Sequence, residues 1–167
     1  MRIVLTALML WLLPQTVAAL ATDRDQPLEL EADAAELDNS TGISTYTGNV
    51  VVVQGSMRLE ADKLVVHAKD GDVESMEATG QPAYFRQRPE GEDKDIEGGG
   101  LRIDYRSSDS KVILTGEAWV NQGKDELRGA RIEYDIDAER VIANREQGGE
   151  QRVRIILQPR NTSDGSN

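Results

Sequence analysis

Period-two alternation constrains this chain more than any other feature. Leu28 and Leu30 stand between Glu29 and Glu31, Leu101, Ile103 and Tyr105 are spaced by Arg102 and Asp104, and Ile132, Tyr134 and Ile136 are spaced by Glu133 and Asp135. A segment with that period has one apolar and one charged face as a β-strand, and no coherent face as a helix. Short segments of this kind are predicted at 27–32, 34–38, 43–47, 49–54, 57–61, 63–68, 73–79 and 82–87. They resume at 100–105, 111–115, 117–122, 126–129, 131–136, 140–145 and 151–157. Turn residues separate them at 39–42, Gln54-Gly55, Asp70-Gly71-Asp72 and Gln122-Gly123-Lys124, where Gly and Asn accept positive φ at low cost. No stretch carries an i, i+3, i+4 apolar stripe that would compete. Strands with one apolar face must fold over on themselves, or close, to hide it. The predicted class is therefore all-β, a meander, roll or barrel.

The chain also writes one phrase twice. TGNVVVVQGSMRLEADKLVV at 47–66 returns as TGEAWVNQGKDELRGARIEY at 115–134, an offset of 68. Thr47, Gly48, Gln54, Gly55 and Leu59 meet Thr115, Gly116, Gln122, Gly123 and Leu127, and further on Val73 and Gly80 meet Val141 and Gly148. Such a repeat implies a roll or a layered β-solenoid, with the recurring glycines at turns and each layer covering its neighbour. Val50 to Val53 break the alternation, so both faces of that strand need cover. Val50 and Val52 are expected to face inward, and Val51 and Val53 to be shielded by adjoining structure or by a stacked copy. Residues 88–97 are polar and charged and are expected to form a loop linking the two halves.

Residues 1–21 have the layout of a secretory signal peptide: Arg2, an uncharged apolar run at 3–13, Pro14, then small residues ending Ala19-Leu20-Ala21. The apolar run is too short to span a bilayer as a helix, and Val17-Ala18-Ala19 offers a second cleavage pattern. The chain is thus expected to be exported, with a single domain over 22–158 and a polar, disordered tail at 159–167. It has no cysteine, so disulfides do not support it. Its formal charge of −11 rests on 30 acidic against 19 basic residues, which argues against nucleic acid as a partner.

Catalytic chemistry is sparse. His67 is the single histidine and falls at a strand end beside Lys69 and Asp70. There is no G-x-S-x-G elbow and no thiol nucleophile, and a His/Cys metal site cannot be assembled. The Gly98-Gly99-Gly100 run lacks the Lys-Ser/Thr of a phosphate loop and fits close strand approach instead. Asp70 and Asp72 lack the further oxygen ligands that calcium needs. No metal and no cofactor is expected. A carboxylate pair acting on a glycan, or a structural β-scaffold with a filled core, remain as alternatives to a binding role.

Several stretches in order carry a family resemblance. Asp25-Gln26-Pro27-Leu28-Glu29-Leu30-Glu31-Ala32-Asp33, Tyr46-Thr47-Gly48-Asn49-Val50, Gln54-Gly55, Ala61-Asp62-Lys63, Gly80-Gln81-Pro82-Ala83-Tyr84-Phe85 and Leu114-Thr115-Gly116 are similar to the OstA-like family of periplasmic lipopolysaccharide-transport proteins. The resemblance covers nearly all of the chain after the leader. It implies an open antiparallel β-jellyroll, a V-shaped roll with an apolar interior, and a non-enzymatic role in the periplasm of a Gram-negative bacterium. It further implies that lipopolysaccharide is held by its lipid A acyl chains in that interior. The lining residues expected on this basis are Leu28, Leu30, Tyr46, Val50, Val52, Leu59, Phe85, Leu101, Ile103, Tyr105, Leu114 and Ile132. Inner- and outer-membrane transport components, and further copies in a head-to-tail homo-oligomer, are the implied protein partners. They would pair with the terminal edges at 28–32 and 153–157.

Overall fold

Ten strands follow one another in the computed structural model, which describes residues 23, 26–89, 92–136, 138, 140–145 and 152–159. The leader expected at 1–21, and all of the tail expected at 159–167 except residue 159, lie outside these residues. The strands are β1 (Leu28–Glu31), β2 (Ala34–Asp38), β3 (Ile43–Gln54), β4 (Met57–Lys69) and β5 (Asp72–Gln87), then β6 (Ile96–Arg106), β7 (Lys111–Gln122), β8 (Asp125–Asp135), β9 (Arg140–Asn144) and β10 (Arg154–Ile156). All pair antiparallel in one sheet of order β1-β3-β4-β5-β6-β7-β8-β10, with β2 also on β3 and β9 also on β8. Among the described residues there is no α-helix.

The strands are longer than alternation predicted, because paired segments such as 43–47 and 49–54 are one strand interrupted by a bulge. The register slips between Thr47 and Val50, Glu60 and Lys63, Thr79 and Ala83, Gly99 and Arg102, and Thr115 and Ala118. These breaks are neighbours. Thr47 lies opposite Lys63, Lys63 opposite Thr79, Thr79 opposite Arg102, Arg102 opposite Thr115, and Thr115 opposite Arg131. Every long strand is therefore interrupted along one line across the sheet, where extra residues bend and twist it. The line divides the sheet into two limbs. β1 and β10 close off one limb by pairing with the second half of β3 and the first half of β8, while β2 and β9 close off the other. The result is an open antiparallel β-jellyroll, not closed into a barrel.

At two places the bend is made by successive left-handed residues. Gly48 and Asn49 have φ of 80° and 45°, and Gly116 and Glu117 have 75° and 53°. Beside the first pair the Asp33 amide donates to the Gly48 carbonyl at 2.9 Å, and Asn49 Nδ2 donates to Asp33 Oδ2 at 2.9 Å. The repeated glycines therefore divide in a way the sequence did not suggest. Gly55 and Gly123 turn hairpins as expected, whereas Gly48, Gly80 and Gly116 lie inside strands, and Gly148 falls outside the described residues.

The duplication holds in three dimensions over β3–β4 and β7–β8, but Val73 and Val141 are not equivalent, since Val73 lies opposite Ala68 and Val141 opposite Tyr134, the counterpart of Val66, and no layered solenoid is built. Both copies lie side by side in one sheet, joined where β5 pairs with β6. The pairing Leu28 with Gln54 recurs as Ile96 with Gln122, and Asp38 with Ile43 recurs as Arg106 with Lys111. Thus β1 and β2 together occupy, on β3, the place that the unbroken β6 occupies on β7. The 88–97 loop is shorter than expected because β6 already starts at Ile96. Its glycines allow close packing of rings: a Cβ at Gly98 would collide with Phe85, and one at Gly99 would stand 2.9 Å from Trp119 Nε1.

Two expectations follow. Gly116→Ala must hold a side chain at positive φ with Leu101 atoms 3.0 Å away, whereas Gly71, at φ 93°, has nothing within 4 Å. Gly116→Ala should lower the unfolding free energy by about 1–3 kcal/mol and Gly71→Ala by about 1 kcal/mol, as read by urea titration. The second concerns the β2–β3 turn. Asp38 Oδ1 accepts from the Ser40 hydroxyl at 2.6 Å, the Ser40 amide at 2.8 Å and the Thr41 amide at 3.3 Å. The Ser40 hydroxyl is the main cause of a carboxyl held down at about 2, below its ordinary 3.8. A depressed carboxyl stabilises above its unfolded value and loses that contribution as pH falls through its folded one. The Tm gap between the wild-type chain and Asp38→Ala should be constant above about pH 4 and close between about pH 4 and 2.

Candidate functional site

Each inward position continues across the sheet as a ladder of directly opposed side chains. In the β1/β10 limb the ladder runs Leu30, Val52, Leu59, Phe85, Gly98, Val120, Leu127 and Ile155. In the β2/β9 limb it runs Ala35, Tyr46, Leu64, Ala78, Ile103, Leu114, Ile132 and Ala143. Nearer the tip of that limb, Val66, Met76, Tyr105 and Val112 form a further row. Residues of both limbs belong to one apolar cluster, so the bend brings the two inner faces together.

Burial is graded along this interior. Beside the bend the lining is tightly covered: Val50 and Leu114 are 1% exposed, Ile132 is fully buried, and small Ala61, Ala83 and Ala118 fill the corner. Away from the bend Met57, Val66, Met76, Phe85, Val112 and Leu127 pack on the cluster but are only partly buried. No polar or charged residue is buried among the described residues. The interior is therefore a surface that asks nothing of hydrogen-bond geometry, with a filled floor and a half-covered apolar rim.

Ten of the twelve lining residues expected from the sequence stand on this inner surface: Leu30, Val50, Val52, Leu59 and Phe85 in one limb, and Tyr46, Ile103, Tyr105, Leu114 and Ile132 in the other. Leu28 faces the same way but sits at the open edge opposite Gln54, 51% exposed. Leu101 takes no place in the ladders. It lies in the β6 bulge, 47% exposed, lining a shallow cavity of about 290 Å³ with Asp62, Thr79, Gly80 and Gln81. Alternation counted back from Ile103 assigns it inward, and the bulge shifts the phase. Sequence reasoning missed Leu64, Val120 and Leu127, although the repeat pointed to them as the counterparts of Ile132, Val52 and Leu59. Nothing in the sequence singled out the corner alanines.

Four ion pairs lie on the other face. Arg58 with Glu60, Arg102 with Asp104, Arg128 with Glu126 and Arg131 with Glu133 pair two residues apart, hence on one side of a strand. Arg102 also reaches Glu77 of β5 at 2.9 Å, and Lys111 reaches Glu133 of β8 at 3.0 Å. Hydrogen bonding to Lys111 lowers the Glu133 carboxyl. Tyr84 and Trp119 flank Gly99 on this outer face, their rings 6.2 Å apart at 34°. Burial, followed by the charge of Glu97, raises the Tyr84 hydroxyl. His67 is exposed between Ile43 and Ser75. A second shallow cavity of about 350 Å³, between Arg88, Asp93, Lys94, Asp95, Glu97, Asn121 and Gly123, is polar and also away from the ladders. Among the described residues no three His, Cys, Asp or Glu side chains gather in a way that could hold a metal ion.

Known proteins share this arrangement. Residues 29–140 match the family described as LptA/(LptD N-terminal domain) LPS transport protein. The chain is 37% identical over 149 residues to the lipopolysaccharide export system protein LptH of Pseudomonas aeruginosa, covering 85% of each. It is 33% identical over 151 residues to the lipopolysaccharide export system protein LptA of Escherichia coli K12, covering 89% of this chain and 80% of that protein. A 48-residue stretch is 46% identical to the LPS-assembly protein LptD of Vibrio cholerae, covering 29% of this chain and 6% of that protein. The crystal structure of the Pseudomonas LptH superimposes with a TM-score of 0.73 at 34% identity, over 82% of this chain and 99% of that one.

The graded burial separates fold from rim. Leu114→Ala beside the bend should cost about 2–5 kcal/mol in denaturant unfolding, as for a closed core site. Leu28→Ala, at the open edge, should stay within about 0.5 kcal/mol of the wild-type chain.

Proposed function

The chain belongs to the LptA/(LptD N-terminal domain) family of LPS transport proteins, and on that footing we propose that it relays lipopolysaccharide across the periplasm with the lipid A acyl chains held in the apolar interior. The role is transport and involves no chemical turnover. The observation that carries the reading is the continuous inward ladder, in which no charged side chain stands and which is half-covered along its rim. Acyl chains need such a lining, since each buried CH₂ is worth about 0.8 kcal/mol and several long chains together cannot cross water unshielded at a useful rate. The phosphates and sugars of the head group stay in solvent at the open mouth. Acidic residues alternate onto the outer face and pair with arginines there, which speaks against a hydrolytic carboxylate pair in the interior.

Partners are the other components of lipopolysaccharide transport. We assign the donor to the inner-membrane extraction complex and the acceptor to the outer-membrane translocon, each docking by strand addition at a terminal edge. The same edges join copies of this chain head to tail into a bridge. Export through a leader cleaved near residue 21 would deliver the domain over 22–158 to that compartment. The lipid-lining set follows the ladders: Leu30, Tyr46, Phe85 and Tyr105 along the rim, with Val50, Val52, Leu59, Ile103, Leu114 and Ile132 as the floor.

Purified protein incubated with lipopolysaccharide micelles should retain lipid A species detectable by mass spectrometry. Phe85→Asp, which puts a carboxylate on the rim, should cut retention about tenfold or more with an unchanged far-UV spectrum. Lys63→Asp, on the outer face, should retain lipid normally. A wild-type chain that never takes up lipopolysaccharide would refute the reading.

A further inference from the structure

β1 ends the first ladder with little of its own to hold it there. It is four residues long, pairs with β3, and has only Leu30 partly buried. Its counterpart in the second half, β6, has a neighbour on both sides, β5 and β7. What β1 has instead is an aspartate beyond each end. Asp23 precedes it and Asp33 follows it, and each carboxylate is set against a glycine, Gly48 within β3 for Asp33 and Gly55 in the turn after β3 for Asp23.

Asp33 fastens the end beside the bend. Its amide donates to the Gly48 carbonyl and its Oδ2 accepts from Asn49 Nδ2, each at 2.9 Å. Asp23 fastens the other end: Oδ1 accepts from the Ser56 amide at 2.8 Å, and Oδ2 accepts from the Ser56 hydroxyl at 2.6 Å and from Gln87 Nε2 at 3.1 Å. The Ser56 hydroxyl in turn accepts from the Arg88 amide at 3.0 Å. One carboxylate is thus tied to the β3–β4 turn and to the end of β5 together. Gln26 is held at the same place, its amide donating to the Asp23 carbonyl and its own carbonyl accepting from Gln54 Nε2, each at 3.1 Å. Burial would raise the Asp23 carboxyl, but the bonds from Ser56 and Gln87 outweigh it and lower the group. Both seats require glycine: a Cβ at Gly48 would collide with the Asp33 carboxylate, and one at Gly55 with that of Asp23.

The repeat shows what these carboxylates replace. At the offset of 68 the equivalent glycines are Gly116 and Gly123, and they face Leu101 and Lys94, which stand where the first half has Asp33 and Gln26. No carboxylate is seated there, and β6 runs unbroken between two partner strands. We propose that Asp23 and Asp33 are positioning residues that clamp β1 at its two ends, doing for it what a second neighbouring strand does for β6, and so fix Leu28 and Leu30 as the end wall of the lipid path. The role in the lipid path rests on the transport reading above, whereas the clamp itself rests on these hydrogen bonds. Leu30 stands directly opposite Val52, which is 2% exposed, so a loosened β1 uncovers the apolar floor at that end. Bonds to an ionised acceptor are among the stronger ones, which suits them to hold a strand with so little apolar cover.

Hydrogen exchange of the β1 amides reads the clamp without any lipid. Asp23→Ala and Ser56→Ala should each speed that exchange about tenfold, and Asp33→Ala, which loses one side-chain bond, about threefold. The Asp23→Ala/Ser56→Ala double variant should exchange no faster than either single one, and the amides of β7 and β8 should be unchanged in all of them. Asp125→Ala, which frees the Gln158 amide at the equivalent turn of the second half, should leave β1 as it is. Loaded with lipopolysaccharide, the Asp23→Ala chain should release it about 5-fold faster than the wild-type chain. Unchanged β1 exchange in the three single variants, or equal acceleration through the whole sheet, overturns the clamp. Faster β1 exchange with unaltered lipid release overturns its role in the lipid path. A wild-type chain that takes up no lipopolysaccharide removes the transport reading instead, and the exchange rates still decide the clamp.

Discussion

The structure depends on one line of broken hydrogen-bond register. A flat sheet of these strands would leave a wholly apolar face in water, and the described residues supply no second layer to cover it. The sheet instead covers itself, and it can do so because every long strand carries a bulge at the same level, from Thr47 across to Arg131. Gly48-Asn49 and Gly116-Glu117 take left-handed backbone there, and the inner corner holds alanines that let the two faces meet. The apolar cluster, the open mouth and the division of each terminal end into two short strands all follow from that bend.

On the transport reading proposed above, the same bend lets one surface serve both stability and cargo. Side chains next to it are enclosed by both limbs and behave as core. Side chains further out have the other limb at a growing distance and keep part of their apolar area available. On that reading a ligand with long hydrocarbon chains would complete what the protein leaves half covered. The open edges belong to the same logic, because a sheet that closed into a barrel would have no edge to offer a neighbour. The acidic composition and the paired charges of the outer face are features that discourage random pairing at such edges.

Much of the interior was legible because alternation is a direct consequence of strand geometry. Val50 and Val52 were expected inward and are almost fully buried, at 1% and 2% exposure. Val51 and Val53 are half-buried on the outer face, where Val51 lies between Glu31 and Glu60 and Val53 between Glu29 and Arg58. Long charged neighbours thus supply the cover that the run of four valines seemed to demand. Leu101 was misassigned for the opposite reason: period two holds only while the strand is regular, and an extra residue at a bulge reverses it. Leu64 and Leu127 stood in plain alternation and were recoverable from the repeat.

The sequence by itself determined that the chain is all-β, that each strand has an apolar and a charged face, that two related halves follow each other, and which family it resembles. Those properties are local, or are comparisons of one stretch with another, so no knowledge of distant contacts is needed. Only the tertiary structure decided that Gly48 and Gly116 bend strands instead of ending them. A Thr-Gly pair makes either a turn or a bulge, and the choice depends on whether the partner strand continues past it. Where Tyr46 and Leu64 continue the ladder that Val50 and Ala61 leave, the hydrogen bonds of both neighbours hold the strand together through the bend. Pairing across the whole sheet is what turns two glycines into the fold line of the molecule.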